Sequence, residues 1–148
     1  MINQRIVYRD GDGVSVVMPT PEFCANPANT IDMLLKKCVP EGVHFEVHQA
    51  EDMPTDRYFR NAWKLDGGVS VDLEQAQKIH MINLRVIRNE KLAELDVPFQ
   101  RALEDKDIIM QDNIATKKNK LRDMPRNVDL SGLTLEEIKA FIPKILEG

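Results

Sequence analysis

Three residues in the first half of the chain have the types and the spacing that could hold a metal ion. His44, Glu46 and His48 occupy alternate positions, and the apolar residues that alternate with them are Val43, Phe45 and Val47. In a β-strand such alternation predicts the apolar side chains facing a core and the imidazoles and carboxylate sharing the opposite face. Imidazole and carboxylate suit zinc, but the spacing is not that of a His-Glu-x-x-His helix and no third strong ligand lies nearby. We therefore predict a solvated polar face, with no metal site and no cofactor.

A second candidate is the acidic segment Asp10-Gly11-Asp12-Gly13. A calcium-binding EF-hand loop needs an oxygen ligand at its fifth position and a glutamate at its twelfth. Counted from Asp10, those positions hold Val14 and Pro21. Asp-Gly between alternating apolar residues is instead a strong signal for a tight turn. The segment 5–18 is therefore predicted to be a β-hairpin.

Nucleophilic catalysis finds little support in the sequence. Ser15 and Ser70 lie in predicted hairpins, and no nucleophile-elbow, phosphate-loop or cysteine–histidine pattern is present in a suitable context. Cys24 and Cys38 are not in a Cys-x-x-Cys arrangement. Because no secretory signal is recognisable at the N-terminus, we expect two free thiols in a reducing cytoplasm. We predict that the protein is not an enzyme and assign no catalytic residue.

The elements around these residues indicate an α+β fold. Residues 1–71 are predicted to be a small docking domain rich in β-hairpins, with one short helix that opens at Thr30 and a second hairpin over 64–71. Residues 72–125 are predicted to be a long helical region that Asp72 caps at its N-terminus and Pro125 ends. Residues 126–148 are predicted to be a loop followed by a short C-terminal helix, capped by Thr134 in a Thr-x-x-Glu box.

The long region has no glycine and only one proline away from its end, Pro98, which predicts a break near residues 96–98. Its first half is apolar over a wide arc. In its second half Leu103, Met110, Lys117 and Met124 are seven residues apart, and so are Asp107, Ile114 and Leu121. Such an interrupted heptad seam predicts either an αα-hairpin or a coiled coil. A small domain cannot cover helices of this length, so we predict an oligomer or a partner interface formed by Leu73, Ile79, Ile82, Val86, Leu103, Met110, Ile114 and Leu121.

Charge and hydropathy narrow the class of partner. The formal net charge of −4 makes nucleic acid an unlikely partner, because nucleic-acid-binding domains usually carry a basic surplus. The basic run between Lys117 and Arg126 leaves a nucleic-acid-binding module as a weaker alternative, although cations near a helix C-terminus are also favoured by the helix dipole. No apolar run approaches the roughly 18 residues of a membrane span, so we predict no membrane association.

The segments RNEKLAELDVPFQRALE, KKNKLRDMP and LTLEEIKAFIP are similar to the C-terminal region of bacteriophage tail-fibre assembly chaperone-like proteins and related small tail proteins. The matching residues are Arg88, Leu92, Leu95, Asp96, Leu121, Arg122, Asp123 and Pro125. The N-terminal segments IVYRDGDGVSVVMPTPE and VPEGVHFEVHQAEDMPTDRYFRNAW resemble phage proteins found among virion genes. The resemblance implies a structural or assembly protein of a phage tail, located in the virion or in the host cytoplasm during assembly. It also implies an alternative, a fibre-assembly chaperone that leaves the particle.

Overall fold

The computed structural model of the chain describes residues 2–147 and has the α+β architecture predicted from the sequence. The chain divides into two compact units, Met1–Gln75 and Ala76–Gly148. The boundary falls within the first turn of the long helix, a few residues after the predicted one.

The first unit is built on a three-stranded antiparallel sheet in which β1 is the central strand, in the order β2-β1-β3. The β1–β2 pair is the predicted hairpin, and Gly11 in its turn has a φ of 58°, which glycine adopts without strain. The helix predicted to open at Thr30 is also present. The elements are β1 (Gln4–Asp10), β2 (Gly13–Val17), α1 (Pro21–Ala25), α2 (Ile31–Cys38), β3 (Phe45–Gln49), β4 (Trp63–Leu65) and β5 (Val69–Val71).

The predicted second hairpin is formed by β4 and β5, which pair as an antiparallel ribbon. Trp63 and Leu65 from this ribbon pack with Val7 and Val14 from the sheet to form a buried cluster. Val7 and its neighbour Ile6 point to opposite faces of β1, and both are fully buried. The sheet is therefore covered on both faces.

The prediction for the faces of β3 is only partly right. Val47 is half-buried opposite the fully buried Ile6, as expected for the apolar face. Phe45 was expected in a core but is 45% exposed, whereas the side chains of Glu46 and His48 are only 21% and 23% exposed. The pairing explains the difference, because Glu46 lies opposite Val7. Cross-strand partners share a face, so the polar side chains of β3 lie on the face that carries the β4–β5 ribbon. The side chains of β3 alternate between the two faces of the sheet as predicted, but the sequence does not say which face another element covers.

The second unit is helical. Its elements are α3 (Leu73–Glu94), which begins in the last residues of the first unit, α4 (Asp96–Glu104), α5 (Ile108–Asn127), α6 (Leu135–Ala140) and a 3-10 turn (Lys144–Leu146). Asp72 caps α3 as predicted, because its carboxylate accepts a hydrogen bond of 3.0 Å from the Gln75 N–H. The core contains Leu84, Leu121, Met124 and Leu146.

The predicted break near residues 96–98 is confirmed, since α3 ends at Glu94 and α4 begins at Asp96 with Pro98 in its first turn. The predicted continuous second half is wrong. Residues 105–107 form a turn in which Lys106 has a φ of 56°, and the N–H groups of Lys106 and Asp107 donate to the carbonyls of Leu103 and Ala102. These bonds form a Schellman motif. The carboxylate of Asp107 then caps α5 by accepting from the Met110 N–H at 3.0 Å.

Helices α4 and α5 therefore fold back on each other as an αα-hairpin, and the coiled-coil alternative does not describe this part of the chain. The Gln111 side chain donates to the Ala102 carbonyl at 3.1 Å, and the Lys118 ammonium lies 2.5 Å from the Asp96 carboxylate. Asp107 was placed in the heptad seam but serves as a helix cap. Pro125 was expected to end the helix, but α5 continues to Asn127, since a proline in the last turn removes only one hydrogen bond.

The C-terminal segment belongs to the helical unit. The predicted capping box is present, with the Thr134 hydroxyl accepting from the Glu137 N–H and the Glu137 carboxylate accepting from the Thr134 N–H. Ile138 in α6 is fully buried. His80 in α3 is also buried, and its Nε2 lies 2.7 Å from the Phe141 carbonyl oxygen. The segment is therefore anchored through its own core residues and a polar contact to α3.

Candidate protein-interaction surfaces

The polar residues of β3 serve the fold. The Glu46 carboxylate accepts a hydrogen bond of 3.3 Å from the Gly68 N–H, in the turn between β4 and β5. The His48 Nε2 lies 3.6 Å from the same carboxylate, while His44 is exposed just before β3. Within residues 2–147 no group of three or more His, Cys, Asp or Glu side chains is placed to hold a metal ion. The solvated face predicted for this strand is wrong, because Glu46 orders a neighbouring turn.

The other candidates for chemistry are also accommodated by local structure. Asp10 accepts a hydrogen bond of 2.6 Å from the Ser15 hydroxyl across the first hairpin. Cys24 and Cys38 are half-buried free thiols. Asp10 therefore stabilises the hairpin, and the two cysteines contribute to packing.

The eight residues of the predicted interface divide into three groups. Ile114 and Leu121 are buried in the core of the helical unit, so a partner cannot reach them without unfolding it. Ile79 is half-buried. The exposed ones are Leu73, Ile82, Val86, Leu103 and Met110. The interface prediction is corrected on this point: Ile114 and Leu121 of the apparent seam in α5 pack inside the unit, whereas Met110 at the start of α5 is exposed.

One set, exposed except for the half-buried Ile79, lies on the outward face of α3. Ile82 and Val86 are 56% and 52% exposed, and they are one turn apart on the side of the helix opposite the buried residues Ala76, His80 and Leu84. The residues Ile79, Ile82, Val86, Asn89 and Ala93 follow a three-four spacing along this face. We call these five residues the α3 seam. A narrow stripe with this spacing matches the side chains of a single facing helix.

A second exposed set lies at the α4–α5 turn. Leu103 lies near the C-terminal end of α4, and Ile108, Ile109 and Met110 are the first three residues of α5. All four side chains are exposed, and Ile109 is 76% exposed. We call these four residues the turn patch. The sequence reasoning missed Ile108 and Ile109. The signal was present, because three consecutive apolar residues point in three directions around a helix and cannot all be buried on one side.

Carboxylates from other segments of the helical unit lie beside the basic run of α5. Lys118 is bound to Asp96 and lies 5.3 Å from the Phe99 ring centroid. Lys117 and Lys120 line a cavity that also carries Glu94 and Glu147. A nucleic-acid backbone would meet this mixture of charges rather than a uniform positive surface.

The fold defines the class as a small α+β protein with a β-rich unit and a helical unit. Comparisons with protein-family models, with curated proteins and with solved structures gave no match. Across residues 2–147 no helix combines the length and the hydropathy that crossing a bilayer requires.

Proposed function

We propose that this protein is a non-enzymatic structural or assembly component of a bacteriophage tail that binds a tail fibre or another virion protein through its helices. The observation that carries the proposal is the α3 seam, where Ile82 and Val86 expose apolar surface on the side facing away from the core of the unit. Exposed apolar sets of this kind mark interaction sites. The tail assignment itself rests on the sequence resemblance described above.

The spacing of the α3 seam favours one kind of occupant, an amphipathic helix of the partner. Ile79, Val86 and Ala93 are seven residues apart, and so are Ile82 and Asn89. This is the pattern of a helix pair, in which the apolar residues interlock, with the polar Asn89 lying between Val86 and Ala93 in the same stripe. Under the tail assignment, this helix would belong to a tail fibre or to another virion protein. The protein would function in the virion or in the host cytoplasm during assembly.

The experiment is co-purification of the chain with each tail protein expressed from the same phage genome. The variant carries Ile82→Asn and Val86→Asn together, which should abolish capture while leaving the far-UV circular dichroism unchanged. Ile142→Asn is the matched control, because Ile142 is similarly exposed (51%) but lies after α6, outside the α3 seam. All three substitutions introduce the same side-chain amide. Loss of binding in the double variant, but not in Ile142→Asn, would therefore locate the interface on the α3 seam.

Three results would count against the proposal. The first is a lone monomer that no tail protein captures and that purified particles lack. The second is equal capture by the wild type and the double variant. The third is self-association lost only in the double variant, which would make a second copy of the chain the occupant. Mass spectrometry of purified particles separates a resident component, which remains, from a fibre-assembly chaperone, which leaves.

A further inference from the structure

A small cleft in the β-rich unit gathers positive charge around an aromatic residue. It has a volume of about 170 Å³, and its walls include Arg5, Arg57, Arg60, Trp63, Met53 and Pro54. Among the described residues that line it, none is an aspartate or a glutamate. We call this site the arginine cleft. Three arginines and no carboxylate among the lining residues favour an anionic ligand.

Two of the arginines differ in how firmly they are held. The Arg60 guanidinium donates to the Val14 carbonyl at 3.0 Å and lies 4.5 Å from the centroid of the Trp63 ring. Burial, and then the neighbouring positive charge of Arg57, lower the pKa of Arg60 from its ordinary value. Within residues 2–147 the Arg57 guanidinium is engaged in no hydrogen bond or ion pair. A negative charge in the cleft would relieve the repulsion between the two cations and supply the partner of Arg57.

The size and walls of the cleft restrict the ligand. Sites for cofactors and drug-sized molecules usually have volumes of about 300 Å³ or more, so the arginine cleft suits a single side chain or a small acid. Val16, Met18, Met53 and Pro54 form an apolar wall beside the arginines. Trp63 is 4% exposed, and its indole Nε1 is buried without a hydrogen-bond partner in the described part of the chain. A ligand with an anionic head and a short apolar stem matches both parts of this lining.

We propose that the arginine cleft binds a carboxylate carried on a short apolar stem, namely an acidic side chain or the terminal carboxylate of a partner polypeptide. A guanidinium presents paired N–H groups that match the two oxygens of a carboxylate. Phosphate shares the charge but lacks the stem that would contact the apolar wall. The site lies in the first unit, and the proposal does not depend on the α3 seam or on the tail assignment.

The test uses the whole chain and its single tryptophan, Trp63, as the reporter. Fluorescence and the indole N–H resonance of Trp63 are followed during titration with small probes. One probe is a terminally blocked peptide with a central glutamate, and another is an acetylated peptide with a free terminal carboxylate. The neutral amide of each probe and inorganic phosphate complete the set. Comparison of the first two probes identifies the source of the carboxylate.

We expect a saturable response to at least one carboxylate probe, with a dissociation constant in the millimolar range of about 1–10 mM that suits so small a contact. Arg57→Gln should weaken binding about tenfold, as loss of one charge-assisted hydrogen bond predicts. This variant removes no hydrogen bond or ion pair found within residues 2–147, because the Arg57 side chain is exposed. Arg101→Gln is the matched control, because Arg101 is an exposed arginine of α4 and does not line the cleft.

Four results would overturn the proposal. They are the absence of a saturable response to either acid below about 50 mM, equal binding of the acids and their amides, tighter binding of phosphate than of both acids, and unchanged affinity in Arg57→Gln.

Discussion

Replacing Leu121 by alanine should destabilise the helical unit strongly, although the heptad pattern alone would place this residue on a partner-binding seam. Leu121 is only 5% exposed and packs with Leu84, Met124 and Leu146. Truncating a buried leucine removes its transfer free energy and leaves a cavity, and the combined cost is about 3 kcal/mol. A unit of this size has a total stability of about 5 kcal/mol, so most of the margin would be lost.

Ile109→Ala is the matched comparison, because it removes a similar side chain from the same helix at a position that is 76% exposed. Its effect should stay within about 0.5 kcal/mol, as for most surface substitutions. The assay is urea unfolding followed by far-UV circular dichroism, which reports mainly on the helical unit. With a denaturant slope of about 1 kcal/mol per molar urea, the midpoint should fall by roughly 3 M for Leu121→Ala and hardly at all for Ile109→Ala. Equal, small shifts for both variants would refute the assignment of Leu121 to the core.

Two further predictions test local structure. Lys106→Gly should raise the free energy of unfolding by about 0.5–1 kcal/mol, because a glycine adopts the φ of 56° found at this position without steric cost. Lys106→Ala keeps that cost, so equal urea midpoints for the two variants would contradict the reasoning. Ser131→Ala should raise the pKa of Asp129, since hydrogen bonds from the Ser131 hydroxyl and N–H lower it in the native protein. The contribution of Asp129 to stability is present above its unfolded pKa and is lost as pH falls through its lower folded pKa. Because Ser131→Ala brings the folded pKa closer to the unfolded value, this variant should lose less stability than the wild type when the pH is lowered. Carboxyl NMR titration measures this pKa, and Ser70→Ala, which should leave it unchanged, is the control.

Residues that act locally were the most predictable part of the fold. Asp10-Gly11, Asp72 and Thr134 marked a turn and two helix caps, and each has the expected role. Pro98 marked the break between α3 and α4. In each case a side chain satisfies or removes a backbone hydrogen bond within a few residues, so its neighbours in sequence contain the needed information.

Features that depend on distant packing were less predictable. The turn at Asp105–Asp107 contains neither glycine nor proline, and it forms although Lys106 must adopt a left-handed conformation. The hydrogen bonds of the turn and the packing of α4 on α5 offset that cost. The heptad spacing of the sequence predicts neither the hydrogen bonds nor the packing. The same limit applies to β3, where Gly68, the residue of the covering ribbon that donates to Glu46, lies 22 residues later in the chain. Of the α3 seam, the predicted interface contained Ile79, Ile82 and Val86 but not Asn89 or Ala93, whereas the arginine cleft combines residues from separate segments and left no local signature.

The α4–α5 turn has a consequence for how this protein can change over generations. Its conformation is maintained by backbone hydrogen bonds and the Asp107 cap, while the residues of the turn patch are 47–76% exposed. Substitutions at Leu103, Ile108, Ile109 and Met110 should therefore have little effect on folding. A lineage could vary this patch and acquire new binding specificities without first gaining extra stability, an advantage where the partner itself diverges quickly.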